Sequence, residues 1–600
     1  MRAVDEVVED PAAPAVSPAA GTRVPHRRAD LWALLNYAVL SVLVTIQLWR
    51  DPNGRVLAGN DDDHGVFLYV LAYGERVIFH GANPFFSDRL NAPDGVNMMA
   101  NTSLLALSLP MAPVTHFFGA GVSVAFLITL GLAGTAAAWF WVLSRHLVRS
   151  RAAAWIGGLW CGFAPTMVSH ANGHVNFVSQ WVLPFIVWQV LRLREPGRAW
   201  RGGLVLAGLI IVQTFINEES LLFAALAVGV FVLAYAAMSP RRAWREAPQF
   251  LAGSAVAGLT SLVVLAYPLW FQFRGPGNYH GQPFAPGEYA TDLLSIGAFA
   301  RQSLAGNGAL ARQLSVSATE DNTFFGPIGL VMIIVSIVVL WRSVAARAAA
   351  ISAFVLLIVS MGTRLRIAGW DSPVPLPFGL ISHVPVIDLV SVTRFAMVPA
   401  TIAGVLLALA TDKIRTAPEG RRRLFRVGLV LALVPLIPKP LPVVAGDPLP
   451  PFLTQGIWRQ YVTDGRSLVT VPLPEVTTGR TGMRWAALSG LEFPVPRGYF
   501  MGPVNPPADR TGSWNAPRRF TSDLLYSVRE YGIAPQLTET DKARIRADLS
   551  YWRAAVVVLI PNSRNGNDLL TVLTEALGTP RLVGGVQIWD VRYLPVTTKE

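Results

Sequence analysis

The chain has 600 residues, of which 52% are hydrophobic and only 15% are charged, whereas a typical soluble chain has about 25% charged residues. This composition, with a mean hydropathy of +0.42, excludes a soluble globular protein and predicts a chain that crosses a membrane many times. The net charge of +12 is expected in cytoplasmic loops rather than at a nucleic-acid surface. The single cysteine, Cys161, excludes a disulfide framework and a thiolate metal cluster.

The apolar segments begin after a polar tail. Residues 1–30 contain several prolines and alanines and are predicted to be a disordered cytoplasmic tail, too long for the charged start of a typical signal peptide. About eleven apolar runs follow, each near the length that a membrane span needs. The runs cover residues 31–50, 121–143, 152–168, 177–193, 203–217, 220–238, 250–272, 325–341, 348–363, 395–411 and 425–443. We therefore predict an α-helical, multi-pass transmembrane domain over residues 31–445, with a large first outer loop at 51–120.

The direction of the spans depends on residues 104–118, an apolar stretch that Pro110 and Pro113 interrupt. If this stretch does not cross the membrane, the inside segments hold 21 basic residues and the longer outside loops hold nine. Because basic residues favour the cytoplasmic side, this distribution predicts about eleven spans, a cytoplasmic N-terminus and an extracytoplasmic C-terminus. Residues 104–118 are then a re-entrant or interfacial segment.

The sequence pattern changes after residue 445. Strand patterns lie near 468–473, 554–560 and 586–592, and helical patterns lie near 540–552 and 567–577. Residues 446–600 are therefore predicted to form an extracytoplasmic α/β domain. Because these residues include no cysteine and no histidine, we expect the domain to pack on, or roof, the membrane part.

Polar residues gather in the segments that this topology places outside. They are Asp61, Asp62, Asp63 and His64 in the first outer loop, His170 and His174 in a tight hairpin, Glu218 and Glu219 in the next hairpin, Glu320 in the long outer loop, and Arg301, Arg364, Arg366 and Arg394. The aspartates could simply cap a helix or form a turn, and the histidines could close their hairpin. Glu218 and Glu219 are harder to explain in this way, because an acidic group near the bilayer core costs about 2.5–3.5 kcal/mol. We predict that these residues line one outer site.

The residue types indicate a substrate that has a lipid tail and a charged phosphate. A carboxylate can abstract a proton from a hydroxyl acceptor, and a guanidinium can hold a phosphate leaving group. The predicted substrate-binding residues are Asp62, His64, His170, His174, Glu218, Glu219, Glu320, Arg301, Arg364, Arg366 and Arg394. No metal ligand and no cofactor is assigned. The alternative is a magnesium or manganese site formed by Asp63, His64, His170, His174 and Glu219.

The acidic start of the first outer loop at 61–63, the Asn83-Pro84-Phe85 turn, the many spans and the C-terminal outer domain resemble the GT-C superfamily of polyprenyl-phosphate-sugar-dependent integral membrane glycosyltransferases. The resemblance implies a GT-C-like fold and the transfer of a sugar from a lipid phosphate with inversion. In that superfamily the first outer loop supplies the catalytic aspartate, so Asp61 and Asp63 are the leading catalytic residues, and either could be the base. The implied partners are a polyprenyl-phosphate-linked sugar donor, a glycan, lipid or protein acceptor and membrane lipids, with no nucleic acid.

Two other functions compete with this interpretation. A transporter or flippase of a lipid-linked or soluble sugar would use the acidic residues for proton coupling, but the two halves of the chain show no duplicated pattern of the kind that transporters commonly have. A non-catalytic assembly protein would not explain why two adjacent glutamates, Glu218 and Glu219, lie so close to the bilayer core. The arginine-rich, lysine-poor and alanine-rich composition suggests a bacterial source. For such a multi-pass chain we expect a cell-envelope protein in the inner (plasma) membrane.

Overall fold

The computed structural model describes residues 27–102, 104–463, 465–476 and 480–596. Most of the predicted tail at 1–30 lies outside these residues. Within them the chain is mostly helical, and the strands lie in short pairs and in one four-stranded sheet. Long helices are concentrated before residue 446, where the sequence has its apolar runs.

Five of the described helices are long and apolar enough to cross a membrane. They are Arg27–Trp49, Ala120–Leu147, Glu218–Met238, Pro240–Arg274 and Val392–Thr416. Five shorter apolar helices accompany them: Leu105–Phe118, Leu183–Arg192, Ala199–Thr214, Pro327–Val339 and Val344–Ser360. The chain is therefore a membrane protein. The figure of about eleven spans stays a prediction, because several of the predicted runs form helices of only 10–17 residues.

The α-helices are numbered in chain order. Those before residue 446 are α1 (Arg27–Trp49), α2 (Asp61–His80), α3 (Leu105–Phe118), α4 (Ala120–Val142), α5 (Arg151–Phe163), α6 (Pro165–His170), α7 (Val175–Val178), α8 (Leu183–Arg192), α9 (Ala199–Thr214), α10 (Glu218–Met238), α11 (Pro240–Arg274), α12 (Gly308–Leu314), α13 (Pro327–Val339), α14 (Val344–Ser360), α15 (Met397–Lys413) and α16 (Glu419–Leu433). Those after it are α17 (Pro451–Thr454), α18 (Arg480–Leu488), α19 (Phe520–Tyr531), α20 (Glu539–Tyr551) and α21 (Gly566–Leu577). The segment on which the predicted topology depends forms α3, a 14-residue helix that contains both prolines.

Helices of the membrane part pack closely where their residues are small. On α5, Gly158 and Gly162 lie against α4, and a Cβ atom at these two positions would stand only 2.6 and 2.5 Å from atoms of Ala136. Small residues allow the backbones of membrane helices to approach in this way. Because α5 also packs on α1 and α15, it joins three neighbouring helices of the bundle.

Helix α2 carries the acidic triplet in its first turn, and local capping explains why it begins there. The side-chain oxygen of Asn60 accepts a hydrogen bond from the backbone N–H of Asp63 at 3.3 Å, which is the usual contact of an N-cap residue. Acidic side chains in a first turn also interact favourably with the positive end of the helix dipole. Gly81 ends the helix in the left-handed region with a φ of 64°, a conformation that glycine adopts without strain.

The strands are also numbered in chain order. They are β1 (Arg55–Leu57), β2 (Phe86–Ser87), β3 (Val96–Asn97), β4 (Arg364–Ile367), β5 (Trp370–Pro375), β6 (Val443–Ala445), β7 (Ser467–Val471), β8 (Met501–Asn505), β9 (Asp509–Trp514), β10 (Ala554–Leu559), β11 (Arg581–Val583) and β12 (Val586–Asp590). The four-stranded sheet has the order β11-β12-β10-β7. In it β10 runs parallel to β7, with Val557 beside Val469, and antiparallel to β12, with Val557 opposite Trp589.

The strands and helices predicted after residue 445 form close to their predicted positions. The strand patterns correspond to β7, β10 and β12, and the helical patterns correspond to α20 and α21. All six residues of β10 are buried, which explains its continuous apolar sequence. Apolar residues of α19, α20 and α21 pack against this sheet in a core of their own.

The C-terminal region, residues 446–596, is attached to the first loop, residues 51–120, by backbone hydrogen bonds. The Asn91 N–H donates to the carbonyl of Arg497 at 2.8 Å, and the Ala92 N–H donates to the carbonyl of Val495 at 3.0 Å. Strand β1 of the first loop pairs with β6, just before the C-terminal region, and α18 packs on α2. These contacts bring the C-terminal region beside the acidic start of α2.

Candidate functional site

Asp63, the third residue of α2, is the point where polar groups from separate parts of the chain meet. Its Oδ2 accepts hydrogen bonds from the Asn60 amide and from His174 Nε2, the latter at 2.8 Å. Its Oδ1 accepts a hydrogen bond from the Tyr499 hydroxyl at 3.0 Å. The three partners come from the cap of α2, the loop between α6 and α7, and the C-terminal region, so only the tertiary fold assembles them.

These contacts hold Asp63 in its charged form. Burial raises its pKa, but the charge of His174 and the hydrogen bonds from His174, Asn60 and Tyr499 outweigh burial and leave the pKa well below its ordinary value. A depressed pKa of this kind contributes stability at neutral pH, and the contribution is lost only as the pH falls through the depressed value. Burial, followed by the charge of Asp63, raises the pKa of Tyr499 well above its ordinary value. Asp63 is therefore an anion, and Tyr499 keeps its proton, at physiological pH.

His170 and His174 form a buried pair of imidazoles beside Asp63. Their Nδ1 atoms are 2.8 Å apart, and the ring of His170 stacks on Phe177 with the ring centroids 4.7 Å apart. Burial, followed by the charges of His174 and Arg394, lowers the pKa of His170 well below its ordinary value, so this imidazole is neutral. The 2.8 Å between the two Nδ1 atoms allows one imidazole to donate a hydrogen bond to the other.

Arg394 lies between two glutamates from distant parts of the chain. Its Nη1 donates to Glu219 Oε2 at 3.0 Å and its Nε donates to Glu320 Oε1 at 2.9 Å. Its Nη2 makes an ion contact with the same Glu320 oxygen at 2.8 Å. Glu320 also accepts a hydrogen bond from Asn322 at 2.9 Å, and its side chain is only 3% exposed. Removing one partner of a buried ion pair costs about 3–5 kcal/mol. Arg394 is therefore fixed between the two glutamates.

The imidazole pair and the ion pairs of Arg394 form one group. Ring nitrogens of His170 and His174 and a carboxylate oxygen of Glu320 lie within 4.8 Å of one another. We call the group the inner cluster, which consists of Asp63, His170, His174, Glu219, Glu320 and Arg394. Two imidazoles and one carboxylate at this spacing fit a divalent transition ion. This set shares His170 and His174 with the predicted magnesium or manganese site and adds Glu320.

Asp61 and Asp62 face a different arginine, Arg480, which is the first residue of α18. Arg480 Nη1 donates to Asp61 Oδ1 and Oδ2 at 2.7 and 2.8 Å, and its Nε contacts Asp62. We call these three residues the outer cluster. The side chains of Arg480 and Asp61 are 37% and 43% exposed, and such pairs contribute only about 0–1 kcal/mol. The ion pairs of the outer cluster therefore cost little free energy to break.

His64 follows Asp63 in the sequence but lies on another side of α2. It is fully buried, and its Nδ1 accepts a hydrogen bond from the Leu57 N–H at 3.2 Å. Burial, followed by the charge of Arg484, lowers the pKa of His64 to about 3. Successive residues of an α-helix are about 100° apart, which explains why neighbours in the sequence have such different surroundings. In the structure His64 joins α2 to β1.

The other predicted site residues have partners that belong to neither cluster. Arg301 pairs with Asp321, Arg366 with Asp371, and Glu218 with Gln272. Arg364, on β4, has an exposed side chain. The substrate-binding roles of these four predicted residues stay predictions. Of the predicted residues, the structure thus gathers six in the inner cluster and two, Asp61 and Asp62, in the outer cluster.

The comparisons with known proteins concern the fold. No protein-family model matches the sequence, and no curated protein matches it. The structure is similar to the apo form of the oligosaccharyltransferase from Archaeoglobus fulgidus, with a TM-score of 0.50 and 14% sequence identity over 88% of this chain and 69% of that chain. The chain has the GT-C fold. The predicted resemblance is therefore confirmed at the level of the fold.

Two further solved structures are similar to the chain at TM-scores below 0.5. One is AglB from Archaeoglobus fulgidus in complex with an inhibitory peptide and a dolichol-phosphate, with a TM-score of 0.45 and 13% identity over 89% of this chain and 69% of that chain. The other is ArnT from Cupriavidus metallidurans bound to undecaprenyl phosphate, with a TM-score of 0.46 and 13% identity over 95% of this chain and 100% of that chain.

Two residues that contact the aspartates of the clusters, Arg480 and Tyr499, are absent from the sequence predictions. They follow their aspartate partners by 419 and 436 residues, and neither belongs to a motif that would single it out. The sequence predicts that the C-terminal domain packs on, or roofs, the membrane part. The structure shows that it contributes a guanidinium to Asp61 and a hydroxyl to Asp63.

Proposed function

We propose that the protein is an inverting glycosyltransferase that moves a sugar from a polyprenyl-phosphate donor to an extracytoplasmic glycan, lipid or protein acceptor. One observation carries the proposal. Within the GT-C fold, the ionised Asp63 stands at the start of α2 and already accepts a hydrogen bond from a hydroxyl, that of Tyr499 at 3.0 Å. An acceptor hydroxyl in the place of Tyr499 would make the contact that a general base requires.

In the proposed reaction the acceptor oxygen bonds to the anomeric carbon from the side opposite the phosphate. The bond between that carbon and the phosphate oxygen breaks, and the phosphate leaves with the electron pair. The acceptor proton passes to Asp63 Oδ1. Because the pKa of Asp63 is low, the proton moves late, once the forming bond has made the hydroxyl acidic.

The rest of the inner cluster keeps the base in place and balances charge. His174 holds Oδ2 of Asp63, and Arg394 offsets the charges of Glu219 and Glu320. A divalent ion held by His170, His174 and Glu320 would add positive charge on the side of the site where Asp63 lies. No proton transfer in the proposed reaction passes through that ion.

The proposal includes a location for the protein. It would lie in the inner (plasma) membrane of a bacterium, with its N-terminus in the cytoplasm and both clusters on the outer face. The support is the sequence distribution of 21 basic residues inside against nine outside. The donor would then enter from the outer leaflet, and the acceptor would come from the cell envelope.

Release of the lipid phosphate tests the proposal without knowledge of the acceptor, because water can take the acceptor's place in a slow side reaction. Purified protein in liposomes with a radiolabelled polyprenyl-phosphate sugar should release free sugar and polyprenyl phosphate, and Asp63→Asn should lower the rate of release by about a hundredfold or more. Asp88→Asn is the matched control, since Asp88 lies in the same loop with a side chain that is 74% exposed. If the wild type carries the labelled lipid across the bilayer without releasing phosphate, it is a transporter or flippase and the proposal is wrong.

A further inference from the structure

We infer that Arg480 binds the phosphate of the donor by exchanging the carboxylates of Asp61 and Asp62 for phosphate oxygens. The inference rests on the proposed function and names the residue that recognises the charged part of the donor. The ligand class is a phosphate ester that carries a lipid tail.

Of the four arginines that the sequence suggests for this task, Arg364 and Arg366 lie on β4, outside both clusters. The other two are held by buried carboxylates. Arg394 donates one hydrogen bond to Glu219 and one to Glu320 and makes a further ion contact with Glu320. Drawing it toward a phosphate would leave the buried Glu320 without its counter-charge. Arg301 binds both carboxylate oxygens of Asp321, whose side chain is 1% exposed. A phosphate would have to compete with buried carboxylates for either guanidinium.

Arg480 has partners that it can give up. The side chain of Asp61 is 43% exposed and that of Asp62 is 26% exposed, so water can hydrate Asp61 at once when the guanidinium leaves. The guanidinium already binds both oxygens of Asp61 through Nη1. A phosphate offers the same pair of acceptor oxygens with a stronger charge, and arginine binds phosphate in a forked, bidentate geometry.

The position of Arg480 also suits the leaving group. Its partner Asp61 and the proposed base Asp63 are two residues apart in the first turn of α2, which places them about 200° apart around the helix. Inversion requires the acceptor and the leaving phosphate on opposite sides of the anomeric carbon. A sugar lying across the first turn of α2 would meet its acceptor at Asp63 and keep its phosphate at Arg480.

Arg480 would then favour the transition state over the bound donor. As the bond between the anomeric carbon and the phosphate oxygen breaks, negative charge on the phosphate increases. A guanidinium that touches this oxygen interacts more strongly with the phosphate as that charge develops.

Direct binding of polyprenyl phosphate to the full-length protein in detergent tests the inference, because it needs no turnover. Arg480→Gln should weaken binding about tenfold to a hundredfold, and Arg480→Lys should weaken it less. The matched control is Arg459→Gln, since Arg459 is also an exposed arginine of the C-terminal region paired with a carboxylate, that of Glu492. Asp61→Asn should tighten binding several-fold by removing a competitor for Arg480, and this gain should disappear in the Arg480→Gln background.

The outcomes separate this inference from the proposed function. If Arg480→Gln and Arg480→Lys bind polyprenyl phosphate as the wild type does while the wild type still releases lipid phosphate from the donor, the inference is wrong and the proposed function stands. If the wild type releases no lipid phosphate, the proposed function is wrong, whatever the Arg480 variants bind. Inorganic phosphate and phosphatidylglycerol vesicles serve as the other probes. Equal dependence of their binding on Arg480 would show a general phosphate contact and would overturn the assignment to the donor.

Discussion

Arg394 and Arg480 both bind two carboxylates, and both lie next to the start of α2, but their surroundings differ. In the inner cluster, Arg394 and its partner Glu320 are 19% and 3% exposed. In the outer cluster, Arg480 and Asp61 are about 40% exposed on each side. The ion pair with Glu320 is therefore permanent and the ion pair with Asp61 is exchangeable, because water can replace a lost guanidinium at the half-exposed Asp61 but not at the buried Glu320.

This difference suggests that the two clusters have different roles in one site. The inner cluster gives Asp63 a fixed position and a fixed charge, as a general base requires. The outer cluster can open toward an anionic ligand with little loss of stability. A site that was uniformly buried could not admit a phosphate, and a site that was uniformly exposed could not hold a carboxylate in one orientation.

The largest expected effect is on turnover, and it distinguishes Asp63 from Asp61, which the sequence does not. Asp63→Asn should lower turnover about a hundredfold to ten-thousandfold, because an amide cannot accept the acceptor's proton. Asp61→Asn should change turnover less than about tenfold, since Asp61 touches only the exchangeable arginine. Single-turnover release of lipid phosphate measures both. A more severe loss in Asp61→Asn would move the base to the outer cluster.

A second prediction compares the two arginines by stability. Arg394→Ala should lower the free energy of unfolding by about 3–5 kcal/mol, because it leaves Glu219 and Glu320 without a counter-charge. Arg480→Ala should lower it by no more than about 1 kcal/mol. Denaturant unfolding of the protein in detergent gives both values. Equal losses in the two variants would contradict the division into a permanent and an exchangeable cluster.

The smallest effect concerns Tyr499, the residue through which the C-terminal region reaches the inner cluster. Tyr499→Phe removes one hydrogen bond to the Asp63 carboxylate and should lower the free energy of unfolding by about 1–2 kcal/mol. Turnover should change less than about tenfold, because the acceptor hydroxyl takes the same place at Oδ1. Tyr531→Phe, at a tyrosine that is 74% exposed, should change neither quantity. A loss of turnover as large as that of Asp63→Asn would make Tyr499 a reacting group and would contradict the proposed acceptor position.

Local sequence patterns determine much of this fold. Apolar runs specify a membrane protein because a segment that crosses lipid must bury its backbone polar groups in a helix and expose apolar side chains. The strands and helices after residue 445 form near their predicted positions, since alternating and helical patterns of apolar residues depend only on residues a few positions apart. Asn60 and the acidic triplet set the start of α2 by a hydrogen bond that spans three residues.

Local sequence patterns do not determine which residues form the two clusters. Asp61 and Asp63 look equivalent in the sequence, and His64 looks like their neighbour, yet the helical twist directs each to different partners. Arg480 and Tyr499 reach the site from more than 400 residues away, through the packing of α18 on α2 and the backbone bonds to the first loop. The sequence by itself predicted one site that combines acidic side chains, histidines and arginines. Only the tertiary structure decided which arginine is buried with its carboxylates and which is free to exchange them, because burial depends on every element packed around a side chain and not on its neighbours in the chain.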